Sequence, residues 1–209
     1  VRYWMHNAFI DMDGEKMSKS LGNVRTVREL LARFPGEVLR FAMLSAHYRS
    51  ALNFSGALLT SARGTLDTFY GALRRHVDVE ATTLNVLGSR VFLALLDDMN
   101  TPEAIAALHV AAGTLNKSDD PQEIAMAKAE LTIGGGLLGI LDADPEAWFT
   151  CAVGEDGLAA EEIDVLVEER TAAKASRDFQ RADQIRHDLE AQGVVLEDGP
   201  NGTQWRRRN

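Results

Sequence analysis

From Ser55 to Leu141 the apolar residues return at a helical period, which commits the middle of the chain to helix-on-helix packing. Leu58, Ala62, Leu66, Phe69, Tyr70 and Leu73 trace one face of a long helix, and Val91, Leu95 and Met99 do the same in a second. Asn100-Thr101-Pro102-Glu103-Ala104 reads as a helix start, with a cap residue, proline at the first helical position and an acid in the first turn. Leu131 to Leu141 is apolar and helical but crossed by Gly134-Gly135-Gly136. Each glycine weakens a helix by about 0.5–1 kcal/mol relative to alanine. A kink or a close helix contact is expected there, not a phosphate loop.

The flanks differ from this acidic helical middle. Tyr3 to His6 reads as the end of a helix, with His6 a structural residue more readily than a substrate contact, and Ala8 to Met12 as a short strand. Asp13-Gly14 is a hairpin-type turn leading to a second strand. A few strands cannot bury themselves, so residues 1–24 read as the last part of a larger sheet domain and the chain as a piece of a longer one. Thr26 and Glu29 form a capping box for a helix over Val27–Phe34, broken at Pro35-Gly36 and followed by another from Glu37 to His47. Residues 25–142 make a helical domain and residues 143–157 an acid-, alanine- and glycine-rich linker. Residues 158–209 make a small α+β domain. In it a helix over about Ala160–Ala175 precedes one from Phe179 to Gln192, capped by Asp178 and closed by Gly193. Two short strands, Val194–Glu197 and Thr203–Arg206, complete it.

Net charge is −9 over 209 residues, which by itself argues against a nucleic-acid partner. The charge is uneven: +3 over residues 1–50, −7 over 51–150 and −5 over 151–209, with Arg206, Arg207 and Arg208 together at the end. Polyanion binding is therefore expected only at the two ends of the chain, with no DNA partner. No apolar run is long enough to span a bilayer, so no membrane partner is expected. One cysteine, Cys151, makes no internal disulfide and suits a reducing cytoplasm; with no His or Cys near it, it is not read as a zinc ligand.

The chemistry concentrates in Lys16-Met17-Ser18-Lys19-Ser20, where two ammonium groups and two hydroxyls lie between glycine-containing turns. Lysine is a flexible point charge, suited to closing on a polyphosphate. The plainer alternative is a solvated basic turn. In the tail, Phe179, Asp183 and Arg186 fall on one helix face, offering a stacking ring, an acceptor and a forked donor. Those groups suit the unstacked bases of an RNA loop. A buried Phe beside a surface ion pair is the alternative. Arg170, Lys174, Arg177 and Arg181 would add a phosphate-facing stripe unless a turn near Ser176 splits it.

The five-residue lysine stretch is similar, letter for letter, to the KMSKS signature of class I aminoacyl-tRNA synthetases. Gly36–Phe41 resembles their DALR signature, with Glu37 as the acid, and His47-Tyr48-Arg49-Ser50 leading to Leu52-Asn53-Phe54 resembles a stretch of the cysteinyl-tRNA synthetases. Ala182-Asp183-Gln184-Ile185-Arg186, Leu196-Glu197-Asp198-Gly199-Pro200 and Gly202–Arg206 look like that family's anticodon-binding tail. The resemblance implies the end of a Rossmann-like catalytic domain, a stem-contacting helical domain and an anticodon domain. It implies ATP with Mg2+, cysteine and a cysteine-specific tRNA as ligands, and a monomer.

By the same resemblance, Lys16, Met17, Ser18, Lys19 and Ser20 would bind ATP, with Lys16 and Lys19 stabilising the departing pyrophosphate. Arg40, Lys174, Phe179, Asp183, Arg186, Asp198, Arg206 and Arg207 would meet tRNA, with Asp183, Arg186 and Asp198 at the anticodon. Trp205 would serve there or in the core, and His47, Tyr48 and Arg49 would meet RNA or pack against the preceding helix. The family's zinc ligands and its His-Ile-Gly-His motif do not occur, so this chain alone is not expected to make cysteinyl-adenylate. Two other readings stay open. One is the related cysteine ligase of mycothiol synthesis, which should lack the tail; the other is a non-catalytic tRNA-binding module.

Overall fold

The computed structural model describes residues 1–12, 14–16, 25–150, 158–199 and 202–207. They are mainly helical, with two small sheets, and fall into two compact units, Val1–Pro145 and Glu146–Asn209.

The first unit opens without regular structure. Tyr3 and Trp4 are exposed where a helix end was expected, and the Trp4 ring stacks on His6. A first helical turn fixes three residues for one hydrogen bond, and these rings bury nothing to offset it. Strand β1, Ile10–Met12, pairs antiparallel with β2, Glu15–Lys16, and parallel with β3, Leu52–Phe54. Gly14 makes the β1–β2 turn at φ 86°, where a side chain would be strained. Strand β3 is absent from the sequence reading because three residues carry too little pattern, and its partner is β1, some forty residues earlier in the chain.

Helix α1, Val27–Leu31, starts with the expected capping box: Thr26 Oγ1 accepts from Glu29 N and Glu29 Oε2 accepts from Thr26 N. Helix α2, Gly36–Leu44, packs on the long α3, Gly56–Arg75, through Phe41 and Phe69, whose rings meet edge to face. Leu59, Ala62, Leu66, Phe69, Tyr70 and Leu73 are the buried stripe of α3; Leu58 caps its edge and is only half-buried. A 3-10 turn, Val86–Gly88, precedes α4, Arg90–Leu96. Helix α5, Thr101–Lys117, begins at Asn100, whose Oδ1 accepts from Glu103 N. Helix α6, Pro121–Leu138, runs unbroken through the three glycines to Gly139. Gly134 is there for closeness, since a Cβ would lie 2.5 Å from Val91 Cγ2.

Met99 departs from the expected stripe. Helix α4 ends at Leu96, and Asp98 and Met99 turn through φ 49° and 54°, leaving Met99 exposed. The corner is held from the α2–β3 loop. Tyr48 Oη donates to Asp98 Oδ1 at 2.6 Å, Arg49 Nε to Oδ2 at 2.7 Å, and His47 Nε2 meets the Asp98 carbonyl at 3.0 Å. The Arg49 and Tyr48 hydrogen bonds draw the Asp98 carboxyl down to about 2. His47, Tyr48 and Arg49 thus engage Asp98 at the corner between α4 and the next helix.

A buried polar knot closes the unit. Tyr70, fully buried, donates to both Glu37 oxygens, at 2.8 and 3.0 Å, and accepts from Ala143 N at 3.2 Å. Burial and Glu37 push its hydroxyl well above the usual phenol range. Tyr70→Phe leaves the Ala143 donor and a Glu37 oxygen short of a partner, so urea unfolding should show a loss of about 1–2 kcal/mol. An unchanged midpoint would mean that the knot contributes nothing.

In the second unit, α7, Pro145–Thr150, occupies part of the stretch read as a linker and buries Trp148 and Phe149. Helices α8, Ala160–Ala175, and α9, Phe179–Ala191, form an antiparallel pair against the hairpin of β4, Val194–Gly199, and β5, Gly202–Arg207. The hairpin register sets Leu196 opposite Trp205. With Ile163, Ile185, Leu189 and Val194 these side chains make the core, and Trp205 Nε1 donates to Asp164 Oδ1 at 2.7 Å. Trp205 is therefore a core residue. No helix among the described residues is long and apolar enough to cross a membrane.

Candidate functional site

The tail unit presents the most developed site. Asp178 Oδ1 accepts from Arg181 N and so sets the start of α9, leaving Phe179 in its first turn with its ring 62% exposed. That exposure overturns the buried-Phe alternative. One turn on, Asp183 is exposed, and Arg186 follows, its Nε 3.0 Å from Glu190 Oε1. This pair is an exposed i,i+4 contact worth about 0.3–0.5 kcal/mol, so Arg186 can leave it at little cost.

Behind the face lies Arg170, which the structure takes out of the expected phosphate stripe. Its side chain is 3% exposed, and its two terminal nitrogens each meet one Asp198 oxygen at 2.9 Å. Thr203 Oγ1 donates to Asp198 Oδ1 at 2.7 Å and Lys174 Nζ to Oδ2 at 2.9 Å. A carboxylate has about four lone-pair sites, and these four donors fill them. The Arg170, Thr203 and Lys174 hydrogen bonds hold the Asp198 carboxyl far below the ordinary carboxylate range. Asp183 adds its charge to the field at Arg170, so the structure gathers Asp183, Asp198 and Lys174 around one buried guanidinium.

Among the described residues Arg181, Arg206 and Arg207 are engaged as well. Arg181 pairs with Glu169 across α8 and α9, and Arg206 with Glu197 across the hairpin. Arg207 donates to the carbonyls of Thr150 at 3.0 Å and Leu158 at 2.7 Å, a structural tether. Arg177 sits at φ 64° in the turn after α8, which splits the stripe as its sequence suggested. Arg40, in the first unit, donates to the Gly139 carbonyl, completing the end of α6 as a helix-terminal cation does.

Of the lysine motif, the structure places the Lys16 backbone at the end of β2, opposite Asp11. Met17, Ser18, Lys19 and Ser20 lie outside the described residues. The turn ahead of them is anchored from β3, where Asn53 Oδ1 accepts from Gly14 N at 2.9 Å. Asn53 was missed in the sequence because nothing local links it to a turn 39 residues away. Arg170 was misassigned for a related reason: spacing along α8 does not show which side the hairpin covers. Among the described residues no three His, Cys, Asp or Glu side chains gather as a metal site.

Comparison with known proteins agrees along the whole chain. Residues 1–64 match the family model of the class I (C) tRNA synthetase catalytic domain, residues 90–142 the DALR domain, and residues 156–206 the cysteinyl-tRNA ligase anticodon binding domain. The cysteine–tRNA ligases of Saccharophagus degradans and Rhodospirillum rubrum are 50% and 49% identical to it, each over 99% of this chain and 45% of its own length. That of Caulobacter vibrioides is 47% identical over all of this chain and 45% of its own length. The chain therefore spans a little under half the length of these relatives. With three family models in that order on one chain, it belongs to the cysteinyl-tRNA ligase family of class I aminoacyl-tRNA synthetases, and corresponds to the carboxy-terminal part.

Proposed function

We propose that this chain is the tRNA-binding part of a cysteine–tRNA ligase, together with the lysine loop of its catalytic domain. The whole enzyme activates cysteine with ATP to cysteinyl-adenylate and transfers it to the cysteine tRNA, as a cytoplasmic monomer. The observation that carries the reading is the exposed Phe179–Asp183–Arg186 face of α9, within the residues that match an anticodon binding domain. A ring free to stack, a carboxylate to accept and a guanidinium to donate are what single-stranded bases require.

In this reading residues 1–24 end the catalytic domain, 25–142 form the helical stem-contact domain, and 143–157 lead to the anticodon domain at 158–209. Lys16 and Lys19 meet the ATP phosphates, with Met17, Ser18 and Ser20 lining the loop, and stabilise the charge that grows as pyrophosphate leaves. Mg2+ would neutralise part of that charge. Zinc, which in this family selects the cysteine thiolate, belongs to residues other than these. Lys174 and Arg206 reach phosphates from exposed, exchangeable ion pairs. Arg40 and Arg207, bound to backbone carbonyls, act by holding their units in shape.

The test is binding of this chain to a tRNA with the cysteine anticodon against one altered only there, across a salt series. Wild type should prefer the first by about tenfold or more, and Asp183→Ala or Arg186→Ala should erase the preference. Equal, salt-sensitive binding to both would reduce the tail to a phosphate-contacting scaffold.

A further inference from the structure

Asn53 is an unexpected residue for its place. Asparagine is depleted in strands, yet here it is the middle residue of β3 and is exposed. Its neighbours account for the strand without it: Phe54 and Met12, paired in register, are both buried and give the β1–β3 pair one covered face. Side chains alternate along a strand, so Asn53 and Asp11, also paired in register, lie on the opposite face. What Asn53 does there is accept from Gly14 N through Oδ1, at 2.9 Å. The β1–β2 turn has little else to hold it. Strand β2 has two residues and pairs with β1 alone among the described residues, and a two-stranded hairpin is marginal by itself. Packing does not restrain the turn, since a Cβ on Gly14 would meet nothing within 4 Å. Strand β3, by contrast, is fixed at both ends. Leu52 N donates to the Phe9 carbonyl at 3.1 Å, and Ser55 Oγ, directly after the strand, accepts from Leu58 N at 3.2 Å to start α3.

We propose that Asn53 is a positioning residue for Lys16: its amide oxygen holds the turn, and with it the lysine backbone, to the strand that starts α3. The register supports this, because Asn53, Asp11 and Lys16 occupy one row across the three strands, and Gly14 stands two residues before Lys16. The inference rests on the reading of Lys16 as a contact to the ATP phosphates. A cation that stabilises a developing charge is effective only from the place where that charge appears, and such an interaction raises the rate of the step more than it tightens substrate binding. Loss of the anchor therefore lowers kcat and leaves the KM for cysteine and the affinity for tRNA as they were. Helix α3 gains a part in the first chemical step, since the base of the lysine motif takes its position from the strand that the helix continues.

The experiment uses the whole ligase that carries these 209 residues, in a double-mutant cycle of Asn53→Ala with Lys16→Ala. Cysteine-dependent exchange of pyrophosphate into ATP reads the first step, and tRNA binding is measured in parallel. In the wild-type background Asn53→Ala should lower kcat by about tenfold, the share of one net hydrogen bond, with the KM for cysteine unchanged. In the Lys16→Ala background the same change should cost less than about twofold, because the side chain it positions is gone. Hydrogen exchange across β1 and β2 should quicken in Asn53→Ala. An equal loss in both backgrounds, unchanged exchange, or a fall in tRNA affinity alongside kcat overturns the positioning role. If Lys16→Ala lowers kcat and Asn53→Ala does not, the anchor fails and the reading of Lys16 stands. If Lys16→Ala leaves kcat unchanged, that reading fails and the positioning role fails with it.

Discussion

Asp198→Ala should destabilise the tail unit by about 3 kcal/mol, the low end for breaking a buried ion pair because the carboxylate side is half exposed. The cost arises on the other side. Arg170 keeps its buried position, 3% exposed, with its fork empty and its Nε still unpartnered. Lys174 and Thr203 lose little, having water within reach. The sign of the pH dependence follows from the depressed folded-state carboxyl. A carboxyl that titrates lower when folded stabilises above its unfolded pKa, about 3.9, and that contribution drains as pH falls through the folded value. Wild type should therefore lose tail stability below about pH 4, while the variant, already lacking the group, should show a flatter acid limb. Hydrogen exchange of the α9 amides reads this unit separately from the rest of the chain. Unaltered exchange in the variant would show that Arg170 finds another partner and that the pair is not what holds the hairpin to α8.

Gly134→Val should be the most damaging single change in the first unit. Alanine already conflicts there: its Cβ would lie 2.5 Å from Val91 Cγ2, 2.8 Å from Leu108 Cδ2 and 3.1 Å from Val91 Cβ. Val91 and Leu108 are both fully buried, and a β-branched side chain has little rotamer freedom with which to yield. Overpacking of about 1–3 kcal/mol exceeds the ~1 kcal/mol that replacing a helical glycine returns. Valine adds two methyl groups and should cost more than alanine. Gly136, two residues on, has the opposite prognosis. It faces outward with nothing within 4 Å of a Cβ, so Gly136→Ala should stabilise by about 0.5–1 kcal/mol. Urea midpoints of the two variants should move in opposite directions; a shift of the same sign would show that helix propensity, not the α4–α5–α6 contact, governs this run.

The sequence by itself determined what is local or periodic. The stripe from Ala62 to Leu73, the capping box at Thr26 and Glu29, and the starts at Asn100 and Asp178 are each written within a few residues. Their physics, side-chain period and reciprocal capping, acts over that range. The family was legible for the same reason, through short runs such as Lys16–Ser20 and Leu196–Pro200. Tertiary structure decided everything that depends on which surfaces meet. It put β3 beside β1 and turned Tyr48 and Arg49 onto Asp98. It buried Arg170 while leaving Phe179 in solvent, reversing what their polarity alone suggests. Residue type fixes what a side chain costs to bury, but only the packing of α8, α9 and the hairpin decides whether a paired carboxylate is there to offset that cost.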